Sequence, residues 1–343
     1  MYPHRTGSEG EQYPTLSPSL RFNLSGQDGN ESTNKQTVTE SGKKYLLIVN
    51  PAASSGKTMK ALPQLERLLQ DRDVSFEFHF TNEPWHAVEL VQTLGQAFDV
   101  VVSVGGDGTV NEIINGLPEL KKPLGMIPIG TGNDFARSCN IPHDDLAEAV
   151  DILLRENVKY LDVGEINGRR FINALGMGFE GRSNDIGIVL SFIKGSARYL
   201  LAIAYTFFTY RRIPMKIILD DDLTLETDTF LISVGNGWNV GGGLRLTPQA
   251  RLDDGYFDVS YIERISRWRI LTNFYRLFNG TITELDEIQT FRAKTLSIES
   301  PISIPLHLDG EMLPGDRTRL LVTLHPHEQP VIGNWDHDPR DST

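Results

Sequence analysis

Two stretches of this chain repeat one design. "FDVVVSV" runs straight into "GGDGTVNEIINGL", and "PLGMIPI" runs into "GTGNDFARS". Each is an unbroken apolar run, then a glycine-rich turn, then residues with helical spacing. An apolar run without polar alternation suits a strand covered on both faces. Such units in succession build a parallel α/β sheet, with ligands beyond the carboxyl ends of its strands. Both turns are therefore expected at one sheet edge. Gly105, Gly106 and Gly108 let backbone approach a ligand closely. The helix opening at Thr109 offers free N–H groups and a positive dipole end, which suits phosphate. Asp107 would repel a phosphate unless it serves a Mg²⁺ or a water; the plain alternative is a tight turn with an Asp cap. In the second turn, Gly130, Thr131, Gly132 and Asn133 lead into a helix near Asp134, which alone reads as an N-cap. Arg137, one turn on, either meets a phosphate or lies on a solvated face.

The same alternation surrounds these units. "KKYLLIVN" is an apolar run, "KALPQLERLLQ" and "HAVELVQTLGQAF" have helical spacing, and "SFEFHFT" sets Phe76, Phe78 and Phe80 on one face. The helix "DDLAEAVDILLREN" closes this half. After about Asp162 strand-like runs separated by turns dominate, which reads as an antiparallel sandwich. The expected organisation is a polar tail over 1–43, an α/β domain over 44–162, a β-sandwich domain over 163–330 and a second tail over 331–343. The apolar insertion from Ile186 to Tyr210 reads as one helix. "VNPAASSGKT" imitates a P-loop, but the position needing glycine is Pro51, which has no N–H to give a phosphate.

A formal net charge of −12 excludes a non-specific nucleic-acid binder while leaving room for a small basic patch. Cys139 is the only cysteine, so no intrachain disulfide forms and a cysteine-based metal site is not expected. No signal-peptide pattern opens the chain, and its longest mostly apolar run, "YLLAIAYTFFTY", is too short to span a bilayer. A cytoplasmic location is expected. The oligomeric state is open, a homodimer included.

Two stretches in the second half carry acids. "LHLDGEML" separates Asp309 and Glu311 by one residue, so a strand would point both carboxylates one way, as a base and a metal contact need. The alternative is a surface turn, which Asp-Gly favours. "RLDDGYFDV" by itself reads as a two-residue turn into a strand. The Ile186–Tyr210 insertion reads as a core or lid helix. Alternatively it is an amphipathic element that helps a lipid enter, with Lys194, Arg198, Arg211 and Arg212 facing anionic head groups and Lys57 joining them.

"NPAASSGK", "GGDGTVNE" and "GTGNDFAR", in this order, resemble the diacylglycerol kinase catalytic-domain family, and especially its soluble bacterial lipid kinases. The likeness continues through "LDVGEINGRRFINALGMGFEG", "RLDDGYFDV" and "LHLDGE", so it covers about Lys44 to Pro330. It implies an NAD-kinase-like nucleotide-binding α/β domain, a β-sandwich domain and an active site in the cleft between them. The implied reaction is ATP- and Mg²⁺-dependent transfer of the γ-phosphoryl group to a lipid hydroxyl, diacylglycerol by default, by an enzyme peripherally attached to a membrane. By resemblance, Asn50, Pro51, Ala52, Ala53 and Ser54 line the ATP site with Thr81, Gly105, Gly106, Asp107, Gly108, Thr109, Val110, Asn111 and Thr131. Asp162 would reach nucleotide-bound Mg²⁺ through water. A structural Mg²⁺ would sit on the Asp254 carboxylate and the carbonyls of Arg251 and Tyr256. The proton acceptor would be Glu311 or Asp309, with Asp107 the remaining candidate. Trp85 stands where the family often has glycine. GGDGT is shared with NAD kinases, so an NAD kinase is one rival and an inactive lipid-binding protein another. "NPAASSGK" and "DDGYFDV" argue against the first, and the retained acids Asp107, Asp162, Asp309 and Glu311 against the second.

Overall fold

The computed structural model describes residues 42–190, 197–313 and 315–336. Most of the first expected tail and the end of the second lie outside them. The first half alternates as expected: β1 (Lys44–Val49), α1 (Lys57–Gln70), β2 (Ser75–Phe80), α2 (His86–Leu94), β3 (Val100–Gly105), α3 (Asp107–Gly116), β4 (Leu124–Pro128), α4 (Asp134–Ser138) and α5 (Leu146–Arg155). The strands are parallel in the order β2-β1-β3-β4. β3 and β4 are buried along their whole length, as continuous apolar runs require. Leu62, Leu65 and Leu69 form the buried stripe of α1. Asp145 caps α5 by accepting from the Glu148 N–H at 3.0 Å.

The second half contains β5 (Val158–Ile166), β6 (Arg169–Phe171), β7 (Ala174–Gly178), α6 (Phe179–Val189), α7 (Ala197–Thr209), β8 (Ile213–Leu219), β9 (Leu223–Thr229), β10 (Leu231–Gly235), β11 (Phe257–Ile262), α8 (Arg267–Asn273), α9 (Arg276–Asn279), β12 (Gln289–Ala293), β13 (Thr295–Glu299), β14 (Leu306–Leu308), β15 (Glu311–Met312) and β16 (Arg319–Ile332). An antiparallel sheet, β12-β11-β10-β7-β14-β15, faces a layer containing β8, β13 and β16. Met177, Val234 and Phe257 of the one share a core with Met215, Ile298 and Val322 of the other. β8 alternates as a half-buried strand must, with Ile213, Met215, Ile217 and Leu219 inward.

The two halves share a sheet that continues across the expected bounds at Asp162 and Pro330. β5 spans the first of these positions and pairs along β16, whose Leu320, Val322 and Leu324 lie in the sandwich core. The end of β16 joins the parallel sheet, Val331 beside Leu124 of β4, with Val331 and Ile332 in the α/β core. One ten-stranded sheet therefore runs through both halves. Residues 331–336 are not a free tail, and the Trp335 indole N–H donates to the Asn157 carbonyl at 3.0 Å. Pro326 and Pro330 look like strand stops in sequence. Here Pro326 falls inside the register shift between His325 and Gln329, and pairing resumes beyond it. The Ile186–Tyr210 insertion is two helices rather than one. Phe179 at the start of α6 meets the Tyr210 ring, just after α7, at 5.8 Å, so the chain doubles back. Lys194 lies outside the described residues.

Candidate active site between the two halves

Three loops emerge at the carboxyl ends of β1, β3 and β4. After β1, Asn50 shapes its own loop: its side-chain oxygen accepts from Ala52 N–H at 3.0 Å, and its amide donates to Thr109 Oγ1 at 3.3 Å. Ser54, Ser55 and Gly56 then take left-handed backbone in succession, with φ of 48°, 58° and 85°. The Pro51 loop is thus no P-loop, and it strains two serines to turn into α1. Ser54 Oγ reaches Thr131 Oγ1 at 3.3 Å, tying this loop to the second glycine turn. Thr81, at the end of β2, binds back to the Val49 carbonyl through its N–H at 2.9 Å. Ala53 lies in the same loop, and Val110 and Asn111 in the first turns of α3.

The two glycine turns touch backbone to backbone. A Cβ on Gly130 would lie 2.5 Å from Gly106 Cα, and one on Gly105 2.5 Å from Thr109 Oγ1. The glycines are therefore demanded by close packing as well as by room for a ligand. Asn133, in left-handed backbone, closes the second turn by accepting from Gly130 N–H at 2.8 Å.

Asp107 and Asp134 face each other across this junction. Asp107 accepts the Phe135 N–H at 3.1 Å. Burial, and then the charge of Asp134, push its carboxyl up to about 7. Asp134 is more than a cap. Its carboxylate accepts from the N–H groups of Gly242 at 2.8 Å and Gly243 at 2.9 Å, in a glycine loop of the sandwich half. Burial raises it too.

The sandwich half delivers its acids on the β14–β15 hairpin. Leu308 pairs with Glu311, so Asp309 and Gly310 are the two turn residues, both in left-handed backbone. Asp309 and Glu311 do not share a strand face as the period-two reading expected; the Asp-Gly turn prevails. The turn is nevertheless buried. Asp309 accepts from Ile172, Asn173 and Ala174 N–H and from the Asn111 amide, each at 2.9 Å. Burial pushes its carboxyl up, and these donors pull the other way. Four donors use every lone-pair position of a carboxylate. Asp309 thereby pins the hairpin to α3 of the nucleotide half. Glu311 is left open and leans over the first glycine turn: a Cβ on Gly108 would lie 2.6 Å from Glu311 Oε1. Surrounding protein, then Glu112 and Asp309, raise its carboxyl.

Asp162 is brought elsewhere. Its buried carboxylate accepts from Gly255 N–H at 2.7 Å and His327 N–H at 2.8 Å, locking the "RLDDGYFDV" turn onto the β16 bulge. In that turn, Asp254 pairs with the Arg292 guanidinium through one oxygen and accepts Tyr256 N–H at 3.2 Å through the other. Arg292 also stacks over the Tyr256 ring at 4.4 Å. Of the trio expected to hold a structural Mg²⁺, Arg251, Asp254 and Tyr256, the one carboxylate already faces a cation of this chain. Among the described residues no three His, Cys, Asp or Glu side chains cluster as a metal site.

Sequence reasoning missed His307 and the wider roles of Asp134 and Trp85. His307 is buried and bonds Gly310 N–H at 3.2 Å and Glu180 at 3.1 Å, holding the hairpin from below. Asp134 clasps the second half. Trp85, where the family often has glycine, takes left-handed backbone with φ 71°, and the Arg169 guanidinium lies 3.6 Å from its ring centre.

Comparison with known proteins agrees with this architecture. The diacylglycerol kinase catalytic domain profile matches residues 44–166, and that of the YegS C-terminal NAD kinase beta sandwich-like domain matches residues 173–331. The chain is 31% identical over 274 residues to a diacylglycerol kinase of Mycobacterium tuberculosis, covering 78% of this chain and 88% of that one. It is 29% identical over 291 residues to a diacylglycerol kinase of Bacillus subtilis, covering 82% and 95%. A crystal structure of a diacylglycerol kinase from Bacillus anthracis superposes with a TM-score of 0.64 at 27% identity, covering 85% of this chain and 97% of that one. With both domains matched in order and the glycine turns and acidic hairpin brought together, the chain belongs to the diacylglycerol kinase catalytic-domain family of lipid kinases.

Proposed function

We propose that this protein transfers the γ-phosphoryl group of ATP to a lipid hydroxyl, with Mg²⁺, and that diacylglycerol is the acceptor, giving phosphatidic acid. The observation that carries the reading is Glu311 of one half leaning over Gly108 of the other's phosphate turn. ATP would lie along Asn50–Ser54, Gly105–Thr109 and Thr131, with the N–H groups of α3 toward its phosphates. Asp107 fits a divalent cation there, because a cation would offset the burial and the repulsion from Asp134 that hold its carboxyl high. When bound, Mg²⁺ neutralises charge on the phosphates during transfer.

The chain's own acids then divide the work. Asp309, with all four donors engaged, positions the hairpin. Glu311 takes the hydroxyl proton as the phosphoryl group moves in line, and its raised carboxyl makes it a stronger base than an ordinary glutamate. Asp162 stabilises the β16 bulge. The enzyme would work from the cytoplasmic side as a peripheral membrane protein. No described helix is long and apolar enough to cross a membrane. The test is incubation with radiolabelled ATP and a total lipid extract. Label is expected in one acidic lipid and to depend on Mg²⁺; label confined to water-soluble products would refute a lipid acceptor.

A further inference from the structure

α8 and α9 wear their apolar face outward. Trp268, Leu271, Tyr275 and Phe278 are 74%, 58%, 58% and 53% exposed, and their spacing of three, four and three residues makes them one stripe. The inward side is mixed, with Leu277 packed on a small core cluster beside polar groups. Arg269 pairs with Glu287 at 2.8 Å, Arg276 with Glu284 at 2.8 Å, and Asn273 is buried. An ordinary surface helix keeps its solvent side polar, and this pair does not. A second stripe, Leu201, Tyr205 and Phe208 of α7, is also exposed. Arg267 donates to the Phe207 and Phe208 carbonyls at 3.1 and 2.9 Å, so the end of α7 and the start of α8 are joined.

At that joint lies a cavity of about 370 Å³ open to solvent, lined by Arg211, Arg212, Arg264 and Arg267 with one acid, Asp228. Four arginines at one cavity stand out in a chain of net charge −12. The cavity is next to the site. Its lining residues Tyr210 and Phe230 pack on Phe179 at 5.8 and 5.0 Å, and the next residue, Glu180, bonds His307 under the acidic hairpin.

We propose that the α7–α8–α9 face docks the protein onto an anionic phospholipid bilayer. The two stripes enter the interfacial layer, where aromatic rings are at home, and the arginines bind lipid phosphates with their forked donors. A second copy is the weaker occupant, because a two-fold contact through this face would set four arginines against four arginines. The inference rests on the lipid-kinase reading for its purpose, and its test separates the two.

The full chain is cosedimented with phosphatidylcholine vesicles, with and without phosphatidylglycerol, beside the double variants Trp268→Ser/Leu271→Ser and Arg264→Glu/Arg267→Glu. All four positions are exposed, and melting curves check that the variants fold. The wild type is expected to prefer the phosphatidylglycerol vesicles and to lose binding in high salt. Each variant should bind them about tenfold or more weakly. Turnover of a soluble short-chain diacylglycerol should stay at the wild-type rate, while turnover of vesicle-borne lipid falls. Variants that bind as tightly as the wild type would overturn the proposal. So would a wild-type dimer that Trp268→Ser/Leu271→Ser makes monomeric with vesicle binding unchanged. Vesicle binding lost in the variants supports the face even if no lipid is phosphorylated, and then the kinase reading is the one that fails.

Discussion

Glu311→Gln is expected to lower kcat on the order of 10²–10⁴-fold while ATP affinity stays near that of the wild type. The substitution keeps shape and hydrogen-bonding reach but removes the basic oxygen beside Gly108. No described hydrogen-bond partner within the fold is lost, so the melting temperature should hardly change. Asp309→Asn should behave differently. An amide NH₂ would face at least one of the N–H groups of Ile172, Asn173 and Ala174, leaving a buried donor unpaired. That costs about 1–3 kcal/mol of stability, so this variant should melt well below the wild type and lose activity along with its hairpin. Steady-state kinetics, nucleotide titration and melting curves on both variants make the distinction. Normal turnover by Glu311→Gln would move the base elsewhere.

Asp107→Asn should abolish turnover and yet stabilise the ligand-free protein. Unfolded, the Asp107 carboxyl titrates near 3.8; folded, it is held at about 7. Between those values the folded chain keeps a proton that the unfolded chain has released. Stability of the metal- and nucleotide-free protein therefore falls as pH rises through that window. The variant has no such group, so its own decline should be smaller, with Asp134 keeping its share. At pH 8 it should be more stable on the order of 2 kcal/mol, and near pH 4 the two should be alike. Chemical denaturation at the two pH values checks the sign. Equal stabilities at pH 8 would mean that Asp107 is not held high by its surroundings. Such a site trades stability for function.

What was legible in the sequence was local. β1, β3 and β4 are continuous apolar runs, their turns are glycine-rich, and covered strands followed by helices leave one sheet edge for a ligand. What was not legible depends on residues far apart. Asp134 finds Gly242 across 108 positions, and His307 finds Glu180 across 127. Nothing near either residue announces its partner. For Asp309 and Glu311 the sequence leaves a strand and an Asp-Gly turn open; the turn is what forms, and the four donors that bury it come from distant residues. Nor does any local signal show that β16 resumes past the bulge at Pro326 to join the parallel sheet. The α8–α9 stripe has the spacing of a core-facing helix, and only the structure reveals that its apolar side faces solvent.

Phosphoryl transfer here is a single direct step, with Glu311 as a base and never as a phosphate carrier. The most direct measurement uses ATP whose γ-phosphorus is made chiral with oxygen isotopes, and reads the configuration of the phosphate on the lipid product. One in-line displacement predicts inversion at phosphorus. Retention would require two displacements through a phosphorylated side chain and would contradict the account.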